Sequence, residues 1–470
     1  MTAYLIAIDN GSQSTKVSVV DEAGRVHAFA QRPLRPYDTA GGRVVHPDDD
    51  LWDSIRATCT EALARFPGDR SAIVAAGLCT IRFCRALLDA DGLLVEPVIS
   101  WMDARVSRPH ASDAPGLRYV TTSSGYLTHR LTGRFRDTAG NHAGRWPIDP
   151  DTWRWSDDPA AYIATGMPRE LLVELVDPGQ LLGEVTEEAA AATGLPAGLP
   201  VYATSNDKAV EALGSGVRDP GTLLLSLGTY ITSMAFDKRR DCATGAGVWR
   251  NFGSVPGEFL FESDGIRRGM WTVSWFRDLL GDTTEEQLGA GAAEVPAGCN
   301  GLITVLDWLA PPDAAHRRGA LIGFDGSQGR YAIHRSILEG IACTMAGHAD
   351  VLAAALDRRF DRLVVAGGGS RSALMTRILT GVFDLPAVRM ATTDGAGTGS
   401  AICAAVGSGV HPDWEAATAA MVHVAETVQP DPAEVADYRR VREAYRAVTR
   451  HLDPMLRDVL DQAGPQLRNR

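Results

Sequence analysis

YLIAIDNGSQSTKVSVVD, residues 4–21, reads as strand, turn and strand. Tyr4–Asp9 is an unbroken apolar run closed by an aspartate, as expected of a buried strand. Asn10-Gly11-Ser12-Gln13 is turn-like, and 15–21 (TKVSVVD) alternates apolar and polar residues, as a half-buried strand does. Glu22-Ala23-Gly24 turns again before a third alternating run, 25–30 (RVHAFA). The same theme returns at 222–237 (TLLLSLGTYITSMAFD): an apolar strand, a Gly228-Thr229 turn and a second strand. We read the recurrence as an internal duplication with a boundary near Arg218-Asp219-Pro220-Gly221. That boundary predicts two α/β domains, 1–218 and 219–470.

The composition agrees. The chain has 470 residues, 45% hydrophobic and 22% charged, which are globular values that exclude a wholly disordered, collagenous or coiled-coil chain. No uninterrupted apolar run approaches the ~18 residues of a membrane span, and 1–9 lacks the pattern of a secretory signal. A net charge of −12 leaves no domain-wide basic footprint for nucleic acid. Only three lysines occur (Lys16, Lys208 and Lys238), and no Gly-Lys dipeptide exists, so a P-loop is absent. Seven scattered cysteines without a CxxC motif argue against a disulfide framework or a zinc ribbon and point to buried thiols in a reducing cytoplasm. The eleven histidines show no metal-binding spacing.

Further elements follow from periodicity. Asp48, Asp49 and Asp50 are expected to cap a helix whose apolar face is Leu51, Trp52, Ile55, Cys59, Ala62, Leu63 and Phe66. Ala86–Asp89 with Asp91-Gly92 reads as a hairpin. The middle section, about 105–199, reads as loops and short elements. Residues 331–356 form one long helix. Gly367–Ser370 is a turn into a helix over 371–383, and Thr393–Gly399 is a glycine-rich turn before a helix over 400–406. The Arg-rich tail, 434–460, reads as an amphipathic helix interrupted near Pro454, offering either a homodimer surface or a solvated charged face.

Four turns carry the chemistry. In the first, Asp9 to Lys16, a glycine exposes backbone N–H groups beside hydroxyls and a lysine; these are the groups that hold phosphate oxygens, and Asp9 at the strand end could bind Mg²⁺ through water. An ordinary polar hairpin is the other reading. The second, Ser226 to Tyr230, occupies the equivalent place in the repeat. The third, Ala366 to Arg371, lays bare backbone beside a helix start, where a flat ligand could rest. The fourth, Ser205 to Lys208, puts Asp207 at a strand end, where it serves as a general base or merely caps the next helix. Neither Gly367–Gly369 nor Gly395–Ser400 fits a dinucleotide fingerprint with its acidic partner, so a nicotinamide-dependent oxidoreductase is poorly supported.

In this order the turns resemble the FGGY family of carbohydrate kinases, within the actin, hexokinase and Hsp70-type ATPases. IDNGSQSTKV is similar to that family's DxGTxSxR hairpin, with Ser12 for Thr and Lys16 for Arg. GLCTIRFCRALLDADG and ISWMDAR resemble its sugar-side strand pair, and GYLTHRLTGRFRDTAGN its YLxxxLTG segment. SNDKAVEALGSG resembles the segment of the catalytic base, SLGTYITSM the second phosphate hairpin and VVAGGGSRSALMTRIL the adenosine turn. The resemblance implies two RNase H-like domains with a catalytic cleft between them. It implies ATP and Mg²⁺, and transfer of the γ-phosphoryl group to a sugar or polyol of the pentulose, hexulose or polyol class. It makes Asp207 the base and Asp9 the metal holder. Gly11, Ser12, Gln13, Lys16, Gly228 and Thr229 would cradle phosphates. Gly368, Gly369 and Ser370 would line the adenosine site, and Arg82, Trp101 and Asp103 would meet the acceptor alongside Asp207.

The sugar side departs from the family pattern. Ile81 stands where a glutamine is usual, Phe83 replaces an acidic residue beside Arg82, and the segment between Arg105 and Tyr126 is short. Asp103 and Arg105 could equally form a structural ion pair, and Trp101 could be core. These departures keep an alternative open: a nucleotide-binding regulatory module of the same fold that phosphorylates no sugar.

Overall fold

The computed structural model describes residues 2–462, apart from 36, 40–42, 113, 143, 241, 243, 246, 312 and 313. The chain divides into two compact units. Unit 1 holds Met1–Arg218, Asn251–Leu260 and Asp394–Val422, and unit 2 holds Asp219–Arg250, Phe261–Thr393 and His423–Arg470. These units depart from a single cut at 218/219 in two stretches of the second half, Asn251–Leu260 and Asp394–Val422, which pack with the first.

Unit 1 is built on a six-stranded sheet. Its strands are β1 (Tyr4–Asn10), β2 (Ser14–Asp21), β3 (Val26–Pro33), β4 (Ile73–Thr80), β5 (Leu181–Glu184) and β6 (Pro200–Ala203), in the order β5-β6-β4-β1-β2-β3. β1 pairs antiparallel with β2 and parallel with β4, so Asp9 sits opposite both Lys16 and Cys79. Both faces of β1 are covered. Ile6 and Ile8 join a core closed by helix α1 (Asp50–Arg65), and Leu5 and Ala7 join a second core formed with Ala401–Ala405 and Met421. Burial on both faces explains why the strand is apolar throughout rather than alternating. Each buried Leu or Ile side chain contributes about 1.5–3 kcal/mol of transfer free energy.

Unit 2 repeats the connectivity. β7 (Thr222–Leu227) pairs antiparallel with β8 (Ile231–Asp237) and parallel with β11 (Arg362–Ala366). The seven-stranded sheet runs β9 (Val248–Phe252), β10 (Phe259–Ser263), β8, β7, β11, β12 (Ala387–Met390) and β13 (Val424–Val428). The β3-β2-β1-β4-β6 run of the six-stranded sheet and the β10-β8-β7-β11-β12 run of the seven-stranded sheet have matching order, so the duplication expected from the hairpins extends through five strands. The architecture is the actin-like α/β fold.

Four local expectations are corrected and one is extended. Asp49 makes no side-chain cap to α1; it accepts hydrogen bonds from Tyr126 and Arg130 instead. The hairpin at Ala86–Gly92 is present, with Leu88 bridged antiparallel to Leu94 across the Asp89–Leu93 turn, and Ala86–Leu88 pairs in addition with Tyr119–Thr121. The helix 207–214 is α2 (Asp207–Gly214), and the next long one is α3 (Arg330–Ala355), whose length and hydropathy would suit a membrane but whose apolar window is 61% buried in the fold. Helix α4 (Ala373–Phe383) is preceded by a 3₁₀ turn over Gly368–Arg371, and α5 (Gly395–Gly407) begins at the glycines expected to form a turn. The tail is one helix, α6 (Pro432–Gln462), continuous through Pro454. Much of its charge is engaged within unit 2: Arg442 and Arg446 pair with Asp350, and Arg439 with Asp384.

Candidate active site

The first hairpin places a carboxylate at the end of a buried strand. Asp9 is 5% exposed, and its Oδ2 accepts from Lys16 Nζ at 3.0 Å. Burial dominates its electrostatics and, with Asp394 and Asp207 nearby, pushes the carboxyl up to about 6 despite the lysine. Burial disfavours the Lys16 ammonium too, but Asp9 and Asp394 outweigh that and raise it. The turn is pinned from below. Gly11 N–H donates to the Ser14 carbonyl at 3.1 Å, and buried Asn10 Nδ2 donates to Thr15 Oγ1 at 2.6 Å. From the flank, the Tyr37 hydroxyl donates to the Ser12 carbonyl at 3.0 Å, and the Gln13 carbonyl accepts from Leu34 N–H.

Asp207 is the first residue of α2. The cap is its neighbour: Asn206 accepts from Ala209 N–H, so Asp207 is released from that duty. Its Oδ1 accepts from Lys208 N–H at 2.9 Å and faces Arg82 Nε at 3.6 Å. Arg82 follows β4 and lies over the Phe83 ring at 4.9 Å. Phe83 has φ 65°, a left-handed conformation unusual for a bulky residue. Next to Asp207, burial opposes charge on Lys208, while Glu211 and Asp207 raise it; Lys208 Nζ donates to Glu211 at 2.8 Å. Asp9, Lys16, Arg82 and Asp207 are thus gathered in unit 1 by two parallel strand ends and one helix start. An arrangement of carboxylates and cations of this kind can hold a phosphate, screen developing charge and accept a hydroxyl proton.

Unit 2 gathers the second hairpin and the third turn. Gly228 and Thr229 follow β7, and their carbonyls accept from Met270 and Gly269 N–H at a helix start. Gly367 (φ 80°) brings the third turn against Leu227; a methyl on it would lie 2.9 Å from the Leu227 carbonyl. Gly369 is equally hemmed in by Leu227 and Met270, whereas the space above Gly368 is open apart from Arg371 at 3.9 Å. Ser370 Oγ donates to the Gly367 carbonyl at 2.7 Å, fixing the turn rather than facing outward.

The remaining sugar-side residues divide. Trp101 is 40% exposed, not core, and lies beside Tyr37. Asp103 is buried and fully engaged. Oδ1 accepts from Arg105 N–H and Nε, and Oδ2 from Val44 N–H at 2.7 Å and Arg105 Nη2 at 2.8 Å. Those bonds, led by Arg105 against the cost of burial, hold its pKa down to about 2. It is the brace of the turn after Trp101, and it has no acceptor position left for a ligand. Buried Arg85, which donates to the carbonyls of Arg105, Val106 and Arg108, braces the same short segment from beneath. Among the described residues no group of three or more His, Cys, Asp or Glu is arranged to hold a metal ion. One group near Asp9 escaped sequence reading: Asp394, 378 positions from Lys16, whose Oδ1 lies 3.2 Å from Lys16 Nζ.

The N-terminal domain model of the FGGY family of carbohydrate kinases matches residues 4–112 and 109–214, and the C-terminal domain model matches 223–408. The chain is 42% identical over 479 residues to an Escherichia coli (strain K12) protein called uncharacterized sugar kinase YgcE, covering 99% of this chain and 97% of that one. It is 25% identical to the xylulose kinase of Bacillus subtilis (strain 168), with 95% and 97% covered. Among solved structures, xylulose kinase from Rhodospirillum rubrum superposes with a TM-score of 0.82 at 25% identity, with 97% of this chain and 100% of that one covered. Gluconate kinase from Lactobacillus acidophilus gives 0.86 at 17% identity, with 98% and 100% covered, a likeness of fold.

Proposed function

This chain belongs to the FGGY family of carbohydrate kinases and is a sugar kinase, and on that premise we propose that it transfers the γ-phosphoryl group of ATP to a hydroxyl of a small sugar or polyol of the pentulose, hexulose or polyol class. The observation that carries this reading is Asp207, freed from capping by Asn206 and set against Arg82, in the same unit as the Asp9–Lys16 hairpin.

Asp207 accepts the proton of the acceptor hydroxyl as its oxygen bonds to the γ-phosphorus and the bond from that phosphorus to the β,γ-bridging oxygen breaks, with ADP leaving. Arg82 fixes the carboxylate's direction and offers N–H groups to the acceptor, and Trp101 lies on the acceptor side. Lys16 with the N–H groups of Ser12 and Gln13, and in the other unit Gly228 and Thr229, hold phosphate oxygens, while Gly11, whose N–H is spent on the Ser14 carbonyl, shapes the turn. Gly368 leaves backbone bare for the adenosine, with Gly369 and Ser370 keeping the turn in place. Asp9, a carboxylate at a buried strand end, would hold Mg²⁺, a hard cation suited to oxygen ligands. When bound it neutralises charge on the transferred group. ATP use and the seven cysteines, none of them in a disulfide among the described residues, together support a cytoplasmic location.

The test is ADP release from Mg-ATP against D-xylulose, D-gluconate, glycerol and a wider set of ketoses, aldonates and polyols, with Asp207→Ala alongside. Acceptor-stimulated release that vanishes in the variant supports the reading and names the acceptor class. Equal release by the variant removes Asp207 from the base role.

A further inference from the structure

Gly395-Ala396-Gly397-Thr398-Gly399-Ser400 is glycine-rich like a nucleotide loop, yet it forms the first turns of a helix whose glycines face protein. A methyl on Gly214 would lie 1.9 Å from the Gly395 carbonyl, and one on Gly399 would lie 2.1 Å from the Val210 carbonyl. α5 therefore meets α2, the helix that starts at Asp207, backbone against backbone. On its other side Ser400 Oγ donates to the Ile8 carbonyl in β1 at 3.4 Å. This helix, contributed from almost 200 residues downstream of α2, is wedged between the strand that ends in Asp9 and the helix that begins with Asp207.

At its N-terminus stands Asp394. Its side chain caps α5 by accepting from Gly397 N–H, and the same Oδ1 accepts from Lys16 Nζ at 3.2 Å. Lys16 is thus suspended between two carboxylates, Asp9 at 3.0 Å and Asp394 at 3.2 Å, with its side chain 28% exposed. An ammonium has three donors. Two are committed, and the geometry leaves the third for an incoming oxygen. With Asp9 as its only partner, the lysine could collapse onto that carboxylate. It would then neutralise a group that the proposed reaction needs as a cation holder, and withdraw its own charge from the phosphate.

We propose that Asp394 is a positioning residue of the phosphoryl-transfer site: it holds the Lys16 ammonium away from exclusive pairing with Asp9 and presents it to the phosphate. The assignment rests on the kinase reading above only for the identity of the phosphate; the Lys16–Asp394 contact stands without it.

The chain suits a direct test, because its three lysines give a simple side-chain spectrum. Lysine-selective ¹³C/¹⁵N labelling of the full chain, with the Lys16 signal assigned by Lys16→Arg, reports the ammonium itself. Asp394→Ser keeps a good helix cap but is too short to reach Lys16; Asp394→Glu keeps the charge and the reach. We expect a protected Lys16 ammonium signal in the wild type that Mg-ATP shifts. In Asp394→Ser the protection is lost and kcat falls roughly tenfold, while the acceptor KM and melting temperature stay near wild type. Asp394→Glu restores the signal and most of kcat. An unchanged Lys16 signal in Asp394→Ser overturns the proposal. So does wild-type kcat in that variant, or loss of kcat only in step with melting temperature. If wild type shows no acceptor-stimulated ADP release, the kinase reading is what fails, and the Lys16 signal still decides the role of Asp394.

Discussion

The hairpins β1–β2 and β7–β8 have the same connectivity, each paired antiparallel within itself and parallel to a following strand. They differ in what their ends carry. The first ends in Asp9 and faces Lys16, with Asp394 brought in from α5. The second turn, Leu227 to Tyr230, carries no charged side chain, and the carbonyls of Gly228 and Thr229 are spent on a helix start. The contrast teaches that one scaffold serves two tasks. A charged turn on a buried strand end stores electrostatic work, because desolvation makes its groups respond strongly to a partner. An uncharged turn supplies shape and backbone N–H groups without that cost.

If this division is right, damage to the first unit should act on turnover and damage to the second on nucleotide affinity. The largest effect is expected from Asp207→Ala, which should lower kcat by about 10²–10⁴-fold, the usual range for a general base. Mg-ATP affinity measured by titration calorimetry should stay within a few-fold of wild type, and parallel loss of both would erase the distinction between the hairpins. Asp9→Asn should cost about 10²-fold in kcat and flatten the Mg²⁺ dependence of the rate, the magnitude of one lost electrostatic contact to the reacting group.

The same substitution should stabilise the protein. Burial raises Asp9 to about 6 from an ordinary carboxylate value of 3.8, so the folded state binds its proton more tightly than the unfolded state does. Stability therefore falls as pH rises from about 4 to 6. At pH 8 the ionised group costs about 3 kcal/mol, a cost that Asn lacks. Without nucleotide, Asp9→Asn should melt above wild type at pH 8, and the gap should close below about pH 4. A variant less stable than wild type at pH 8 would show that Asp9 is structural. The smallest effect belongs to the second turn. Thr229→Ala should raise the KM for ATP by about three- to tenfold with kcat nearly unchanged, checked by steady-state kinetics at saturating acceptor. A kcat defect as large as that of Asp9→Asn would contradict the division of labour.

Buried histidines add a pH effect of opposite sign. Burial lowers His46 to about 4, and His142 falls too, chiefly by burial, though Asp137 partly opposes the shift. Such groups bind fewer protons folded than unfolded, so their contribution is lost as pH drops through 6.5 towards 4.

What could be read locally was read from the sequence. The two hairpins, α1, α3 and the turn at Gly367–Ser370 are set by apolar periodicity and by turn residues, which act over a few positions. The candidates Asp9, Lys16, Asp207, Gly228 and Gly368 stand at strand ends or turns for the same reason. Tertiary structure alone decided the rest. Helix caps assigned by residue type went elsewhere: Asp49 was drawn to Tyr126 and Arg130, and Asn206 relieved Asp207. Asp103, matched to an acceptor-binding position by its motif, is saturated by Val44 and Arg105. Above all, only the folded chain shows that Asp394–Val422 belongs to unit 1. A glycine-rich helix start looks the same in sequence whether it faces a ligand or another helix. What distinguishes the two is the backbone contact with Gly214 and Val210 and the carboxylate placed beside Lys16, and both arise from packing between segments far apart in the chain.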